Sequence, residues 1–280
     1  MAQDISALAD SQVFILKALA TYRFLTVKQL LKLDYQISRN QLYAKLKPMR
    51  EEAKPLVKTI DFGSVPGEGR LDAIYCLSTH GAKLVRDLGL AEKDISFPKR
   101  VTTFKNDYHH RISCVDFHIS LNAFANEIGA NVDFFDTYYS DGKKRGRTGV
   151  PRTSFEIDEK PIVPDAIFSF TTPDGVRRLC CFEQHNGEDA TRLIKQLISY
   201  SPYLYSRTIE QAYSYPHSAR VLIVFESQKC LEKVQAAFSK STELAPFAKH
   251  YFLKTNGDIT NKPFKDEWLG FRAFEARALY

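Results

Sequence analysis

The sequence predicts an α/β chain of the α+β kind, built as two domains, on three observations. Its 280 residues exceed the usual size of one domain by enough for two. Residues 10 to 90 carry a succession of helix starts around a turn-rich β segment. From Tyr108 onward, apolar strand patterns alternate with helical ones.

The first domain is expected at residues 1–92. Val13, Leu16 and Ala20 stand at helical spacing over residues 11 to 22, with Asp10 placed to cap the first turn. Thr26 with Gln29, and Ser38 with Gln41, each match the capping box, in which the hydroxyl takes an orphan N–H and the glutamine reaches back. Leu30, Leu31 and Leu33 follow the first start, and Leu42, Leu46 and Met49 make a core stripe behind the second, with Pro48 late in that helix. LVKTIDF, a turn through Gly63, Pro66, Gly67 and Gly69, and AIYCLS then read as a hairpin. A short helix opens at Thr79 and Gly81 and closes at Gly89. Residues 91–105, charged and without clear period, are expected to be a linker.

The second domain is expected at residues 106–280. Tyr108, Ile112, Val115 and Ile119 repeat at 4, 3, 4 spacing, as a long helix packed on a sheet would. The strand candidates are VDFFDTYYS, PDAIFSF, RRLCCFEQH, ARVLIVFE and HYFLKT. Helices are expected at 189–207, where Leu193, Leu197, Tyr200 and Leu204 repeat, and at 228–240. Lys143, Lys144, Arg145, Arg147 and Arg152, threaded with glycines, read as a mobile basic loop between two strands.

Composition narrows the function classes. Apolar residues at 44% and charged residues at 26% suit a globular protein and argue against long disorder. The net charge of +6 favours a polyanionic partner, weakly, since many basic proteins bind no nucleic acid. Five cysteines without CxxC spacing indicate neither a disulfide framework nor a zinc ribbon, which fits a reducing cytoplasm. The N-terminus has Asp4 and Asp10 where a secretory signal would have a basic segment and an apolar core, and no apolar run approaches membrane-spanning length. A cytoplasmic protein without a membrane partner is the expectation. No glycine-rich phosphate loop, Gly-x-Ser-x-Gly or His-Cys cluster offers a competing chemistry.

Two strand patterns each deliver a carboxylate, Asp165 at the start of one and Glu183 near the end of the next. Carboxylates so paired suit a divalent-metal phosphodiesterase site, where Mg or Mn polarises a phosphoryl oxygen and generates a nucleophile at neutral pH. Each has a plainer reading: Asp165 after Pro164 as a strand opening, and Glu183 as a semi-buried acid that needs a partner. Of the 14 tyrosines, any could be a transesterifying nucleophile in place of water; Tyr22, Tyr138, Tyr139 and Tyr200 are by base rate core or surface residues.

The run FLTVKQLLKL, LYAKLKPM and AIYCLSTHGAKLV, over roughly residues 10 to 90, resembles a winged-helix domain. In that resemblance the helix from Ser38 is the recognition helix, and Arg39, Asn40, Tyr43, Lys47 and Arg50 are its DNA-binding residues; the plainer reading is a solvated helix face. The second domain's order of elements resembles the restriction-endonuclease-like (PD-(D/E)XK-type) core. More narrowly, HRISCVD from His110 to Asp116, PDAIF from Pro164, Phe182-Glu183 with Gly187-Glu188, and Lys195 with Tyr200 resemble the replication-relaxation family, which includes or borders on the MOBC-type plasmid mobilisation relaxases. The resemblance spans most of the chain up to about Glu226.

That resemblance implies a bacterial DNA relaxase or nicking endonuclease acting at a plasmid or mobile-element transfer origin, with accessory mobilisation proteins as further partners. It implies Asp165, Glu183 and His185 as metal ligands, Lys195 as a cation near the scissile phosphate, and His110 and Asp116 on the adjoining helix. His185 departs from the family, which commonly has an acidic residue there, and a usual nuclease pattern would have lysine. Taken singly, Lys195 is most simply a solvent-facing lysine, and His109, a heptad from Asp116, competes with His110. The basic segment at Lys143, Lys144, Arg145 and Arg147 would clamp the DNA backbone. Two alternatives stay open: a non-catalytic DNA-binding replication or transfer initiation protein, and a winged-helix transcriptional regulator.

Overall fold

The computed structural model describes residues 8–33, 37–91, 107–139, 141–144, 147–261, 268–271 and 276–277, with the backbone alone at 141–144, 147–150, 260–261 and 276–277. Helices and a mixed sheet make an α+β chain that divides into two compact units, Met1–Val115 and Asp116–Tyr280. The linker expected at 91–105 lies, but for Ala91, outside the described residues, as does Arg145.

The first unit runs α1 (Asp10–Tyr22), β1 (Leu25–Thr26), α2 (Val27–Lys32), α3 (Arg39–Glu51), β2 (Val57–Ile60), β3 (Ser64–Val65), β4 (Gly69–Arg70), β5 (Ile74–Leu77) and α4 (Thr79–Asp87). Both capping boxes form. Gln29 N–H donates to Thr26 Oγ1 at 3.1 Å and Thr26 N–H to Gln29 Oε1 at 3.0 Å; Ser38 N–H donates to Gln41 Oε1 at 2.8 Å. At α1 the cap is Ala9, whose N–H donates to Gln12 Oε1 at 3.0 Å, and Asp10 is the first helical residue rather than the cap. Leu42, Leu46 and Met49 bury the inner face of α3 and join Ile15, Leu16 and Leu19 of α1 in the core of this unit. Pro48 sits in the last turns of α3 without ending it, and its carbonyl still accepts from Glu52 N–H at 3.2 Å.

The strands of this unit form an antiparallel sheet in the order β1-β5-β2, with β3 and β4 as a small hairpin between β2 and β5. Gly81 lets α4 lie against the chain entering β2: a Cβ there would stand 2.0 Å from the Leu56 carbonyl oxygen. That carbonyl is held in place, accepting from Ser78 N–H at 2.9 Å while Leu56 N–H donates to Met49 at 2.8 Å.

Helix α5 (Tyr108–Ile128) contributes residues to both units. In the second unit follow β6 (Asn131–Thr137), β7 (Asp141–Lys144), β8 (Arg147–Pro151), β9 (Phe155–Ile157), β10 (Lys160–Ile162), β11 (Ala166–Thr171), β12 (Arg177–His185), α6 (Ala190–Ser206), α7 (Thr208–Ala212), β13 (Arg220–Phe225), α8 (Gln228–Phe238), a 3₁₀ turn at Ala245–His250, β14 (Tyr251–Thr255), α9 (Asn256–Asn261), β15 (Trp268–Leu269) and β16 (Ala276–Arg277). All five expected strands lie in one seven-stranded sheet of order β16-β15-β14-β13-β12-β11-β6, parallel at β12-β13 and β13-β14 and antiparallel elsewhere.

Alternation along the strands fills both faces. Ile167, Cys181, Ile223, Phe225 and Leu253 pack with Leu193, Leu197 and Tyr200 of α6 and Leu231 and Val234 of α8. On the other face Phe117 of α5 stacks on Phe182 at 3.9 Å between centroids, and Phe124 meets Phe170 edge-on. Burial from both sides is why these strands read as near-continuous apolar runs. All five cysteines are free and buried, and burial pushes the thiols of Cys76 and Cys180 up to about 11 and about 12. Among the described residues, no helix is long and apolar enough to cross a membrane.

The 4, 3, 4 spacing understates α5, for Arg111 and His118 are buried on it as well as its apolar residues. His118 stacks on Phe135 at 3.8 Å, and burial holds its imidazole down at about 3 from the ordinary 6.5. Its folded value is depressed, so its contribution is present above about 6.5 and is lost as pH falls toward 3, at about 1.4 kcal/mol per pH unit. His118→Phe is therefore expected to flatten the acid limb of the stability–pH curve measured by denaturant unfolding. An acid limb as steep as the parent's would count against this origin.

Candidate functional site

Asp165 and Glu183 converge. The β11–β12 register pairs Ala166 with Phe182, and one step outward Asp165 stands opposite Glu183. There the ladder changes character: Asp165 gives its carbonyl to Tyr138 N–H at 3.0 Å, and its Oδ2 accepts from Gln184 N–H at 2.8 Å. The strand end thus fixes the Asp165 side chain, half-buried, against β12. Its carboxyl group lies beside that of Glu183, near enough for each to act on the other.

Glu183 is 3% exposed, and its two oxygens are held by α6. Tyr200 donates its hydroxyl to Oε1, and Gln196 Nε2 donates to Oε2 at 2.8 Å. Burial, then the charge of Asp165, raises the Glu183 carboxyl well above the usual carboxylate range, against the pull of the Tyr200 and Gln196 donors. Burial and the charge of Glu183 likewise raise the Tyr200 hydroxyl. Tyr200 is 1% exposed and its hydroxyl is engaged by Glu183, so it is placed to orient that carboxyl group and not to meet a phosphate from solvent.

Sequence reasoning misses Gln196. It stands four residues before Tyr200 and seven before Tyr203, and this i, i+4, i+7 stripe beside the apolar one is the signal that could have found it. Lys195, its neighbour, is exposed; the α6 side chains that reach Glu183 are Gln196 and Tyr200. His185 lies on the same face of β12 as Glu183 and packs edge-on against Phe225, its register partner on β13, with 5.9 Å between centroids. His110 and Asp116 are both half-buried on α5, His110 in the first unit and Asp116 in the second. His109 is exposed and pairs with Glu68 of the β3–β4 turn at 2.7 Å.

The donor set suits a hard, oxygen-seeking ion. Two carboxyl groups side by side offer oxygen ligands to a divalent cation, and oxygen ligands are what Mg and Mn prefer. Asp165 and Glu183 would hold such an ion, with Gln196 and Tyr200 orienting Glu183.

On the first unit, Arg39, Asn40, Tyr43 and Lys47 are exposed on α3, with the Arg39 guanidinium 5.8 Å from the centre of the Tyr43 ring. Arg50 differs from them. It turns toward the sheet, donating to Thr59 Oγ1 at 3.3 Å and approaching Glu51 at 3.6 Å. The basic segment read as a loop is a hairpin: Lys143 and Lys144 lie in β7 and Arg147 in β8, with Lys144 paired to Arg147. Beyond it the exposed Arg152 pairs with Asp136 at 3.3 Å. Glycines separating the basic residues hide strand pairing from composition, because no β-branched alternation marks it.

No protein-family model, no curated protein and no solved structure matches the chain.

Proposed function

We propose that the protein is a metal-dependent DNA-nicking enzyme of the relaxase kind, acting at a plasmid or mobile-element transfer origin in the bacterial cytoplasm, with accessory mobilisation proteins among its partners. The observation that carries the reading is the meeting of Asp165 and Glu183, two carboxyl groups brought side by side by adjacent strands. In this reading the first unit is a winged-helix DNA-binding domain and the second a restriction-endonuclease-like domain. The helical, antiparallel make-up of the one and the mixed, helix-flanked sheet of the other support that assignment.

A bound Mg or Mn would supply Lewis-acid polarisation of a phosphoryl oxygen and a nucleophile at neutral pH. The chain's own residues do the rest. Asp165 and Glu183 offer oxygens, Gln196 and Tyr200 fix the Glu183 carboxyl, and Lys195 contributes a cation on the exposed side of α6. If the nucleophile is a tyrosine rather than water, Tyr138 and Tyr139 are the candidates, since Tyr138 N–H donates to the Asp165 carbonyl. The test is incubation with supercoiled plasmid carrying the gene's neighbouring intergenic DNA, with and without Mn. Open circles are expected only with Mn, and their absence at every divalent ion sinks the enzymatic reading.

One observation favours a second reading. Both Glu183 oxygens already have donors and the residue is nearly closed to solvent, as in a non-catalytic replication or transfer initiation protein with a sealed site. That protein would bind the same DNA and never cut it; a winged-helix transcriptional regulator would bind at a promoter instead. In all three, exposed Arg39 and Lys47 contact phosphates. Arg39→Ala and Lys47→Ala are each expected to lower the slope of log affinity against log salt by about 1, read by fluorescence anisotropy at several salt concentrations. Arg50→Ala, whose side chain is tied to Thr59, is expected to cost stability more than salt slope.

A further inference from the structure

Helix α6 holds more than Glu183. Tyr203, one turn beyond Tyr200 and 1% exposed, places its hydroxyl at the end of the β9–β10 hairpin, where it accepts from Ile157 N–H at 3.0 Å and donates to the Lys160 carbonyl. Those two residues flank a two-residue turn, Asp158–Glu159, with φ of 49° and 61°. Such a turn ordinarily takes Asn-Gly, because both positions lie in the left-handed region. Local preference therefore opposes the turn, and the Tyr203 hydroxyl with the burial of Phe155 and Ile162 offsets that preference. From Ile162 the chain passes through exposed Val163 and buried Pro164 directly into Asp165.

We infer that Tyr203 is a positioning residue for the carboxyl pair: α6 fixes Glu183 through Gln196 and Tyr200, and fixes the strand leading into Asp165 through Tyr203, so one helix face sets the spacing of both carboxyl groups. This rests on the metal-site reading proposed above. The Tyr203 ring fills the core whether or not its hydroxyl is present, so Tyr203→Phe removes the anchor and keeps the packing.

Tyr251→Phe is the matched control. Tyr251 is also fully buried, and its hydroxyl also donates to a backbone carbonyl, that of Leu197 on α6 at 3.0 Å; it lies within reach of the Glu183 charge but hydrogen-bonds neither the hairpin nor the carboxyl pair. The full-length parent and both variants are titrated with Mn alone, and bound Mn is read by electron paramagnetic resonance. Tyr203→Phe is expected to weaken Mn binding roughly tenfold, the usual scale for residues that orient ligands, with Tyr251→Phe unchanged. Equal affinity in parent and Tyr203→Phe overturns the inference while leaving the metal site standing, as does equal weakening in both variants. A parent that binds no Mn sinks the metal-site reading and this inference with it.

Discussion

Glu183→Gln is expected to abolish nicking and, at alkaline pH, to make the protein more stable than the parent. The amide is nearly isosteric with the protonated acid: it can donate to Asp165 and accept from Tyr200, while the Gln196 amide can flip to meet it. What the parent suffers is the need to keep a proton on a buried carboxyl. Its folded value is raised, so the favourable contribution is complete below the ordinary carboxylate range and is lost as pH rises toward the raised value. The difference in Tm between variant and parent should therefore grow from about pH 4.5 upward. A difference independent of pH would show that Glu183 carries no displaced proton. The slope also opposes that of His118, so between about pH 4.5 and 6.5 the two offset each other in the parent, and Glu183→Gln should expose the acid limb. A neutral amide also makes a poor ligand for Mn, and nicking should fall by about 10³-fold or more, as should that of Asp165→Ala. Mn should raise the Tm of the parent at pH 8 and leave that of Glu183→Gln unmoved.

Gly81→Ala is expected to be the most damaging single methyl group in the first unit. The added carbon would stand 2.0 Å from the Leu56 oxygen and 2.9 Å from its carbonyl carbon, both backbone atoms. Neither side can yield cheaply. Leu56 is tied to Met49 and to Ser78, and the Gly81 N–H is itself held by Ser78 Oγ at 2.9 Å as part of the α4 cap. Relief requires shifting α4 away from β2, with a loss of about 3 kcal/mol or more by denaturant unfolding. A loss under about 1 kcal/mol would mean that the approach of α4 to Leu56 is looser than described.

What the sequence disclosed follows the range of the interactions concerned. The Thr26–Gln29 and Ser38–Gln41 boxes were readable because each is closed within four residues. Asp165 and Glu183 were readable because an acid in an apolar strand is conspicuous, and their meeting follows from antiparallel register. Gln196 was not, since its spacing with Tyr200 and Tyr203 places it on their side of the helix but does not name Glu183 as what it holds until the strand opposite is known. Gly81 could be seen to open a helix, but the reason for a glycine lies at Leu56, far away in sequence. The β9–β10 turn lacks the residues that normally announce one, and β15 and β16, two residues each, are too short to leave a pattern.

The burial of every cysteine has a practical consequence. A thiol must ionise to attack an alkylating reagent, and here both exclusion of solvent and the raised thiols of Cys76 and Cys180 work against that. Alkylation of the native protein therefore reports only openings of the fold, Cys76 and Cys114 marking the first unit and Cys180, Cys181 and Cys230 the second. A single cysteine introduced on the exposed face of α3 would accept a fluorophore against a silent background, and the two units could be timed separately as they come apart.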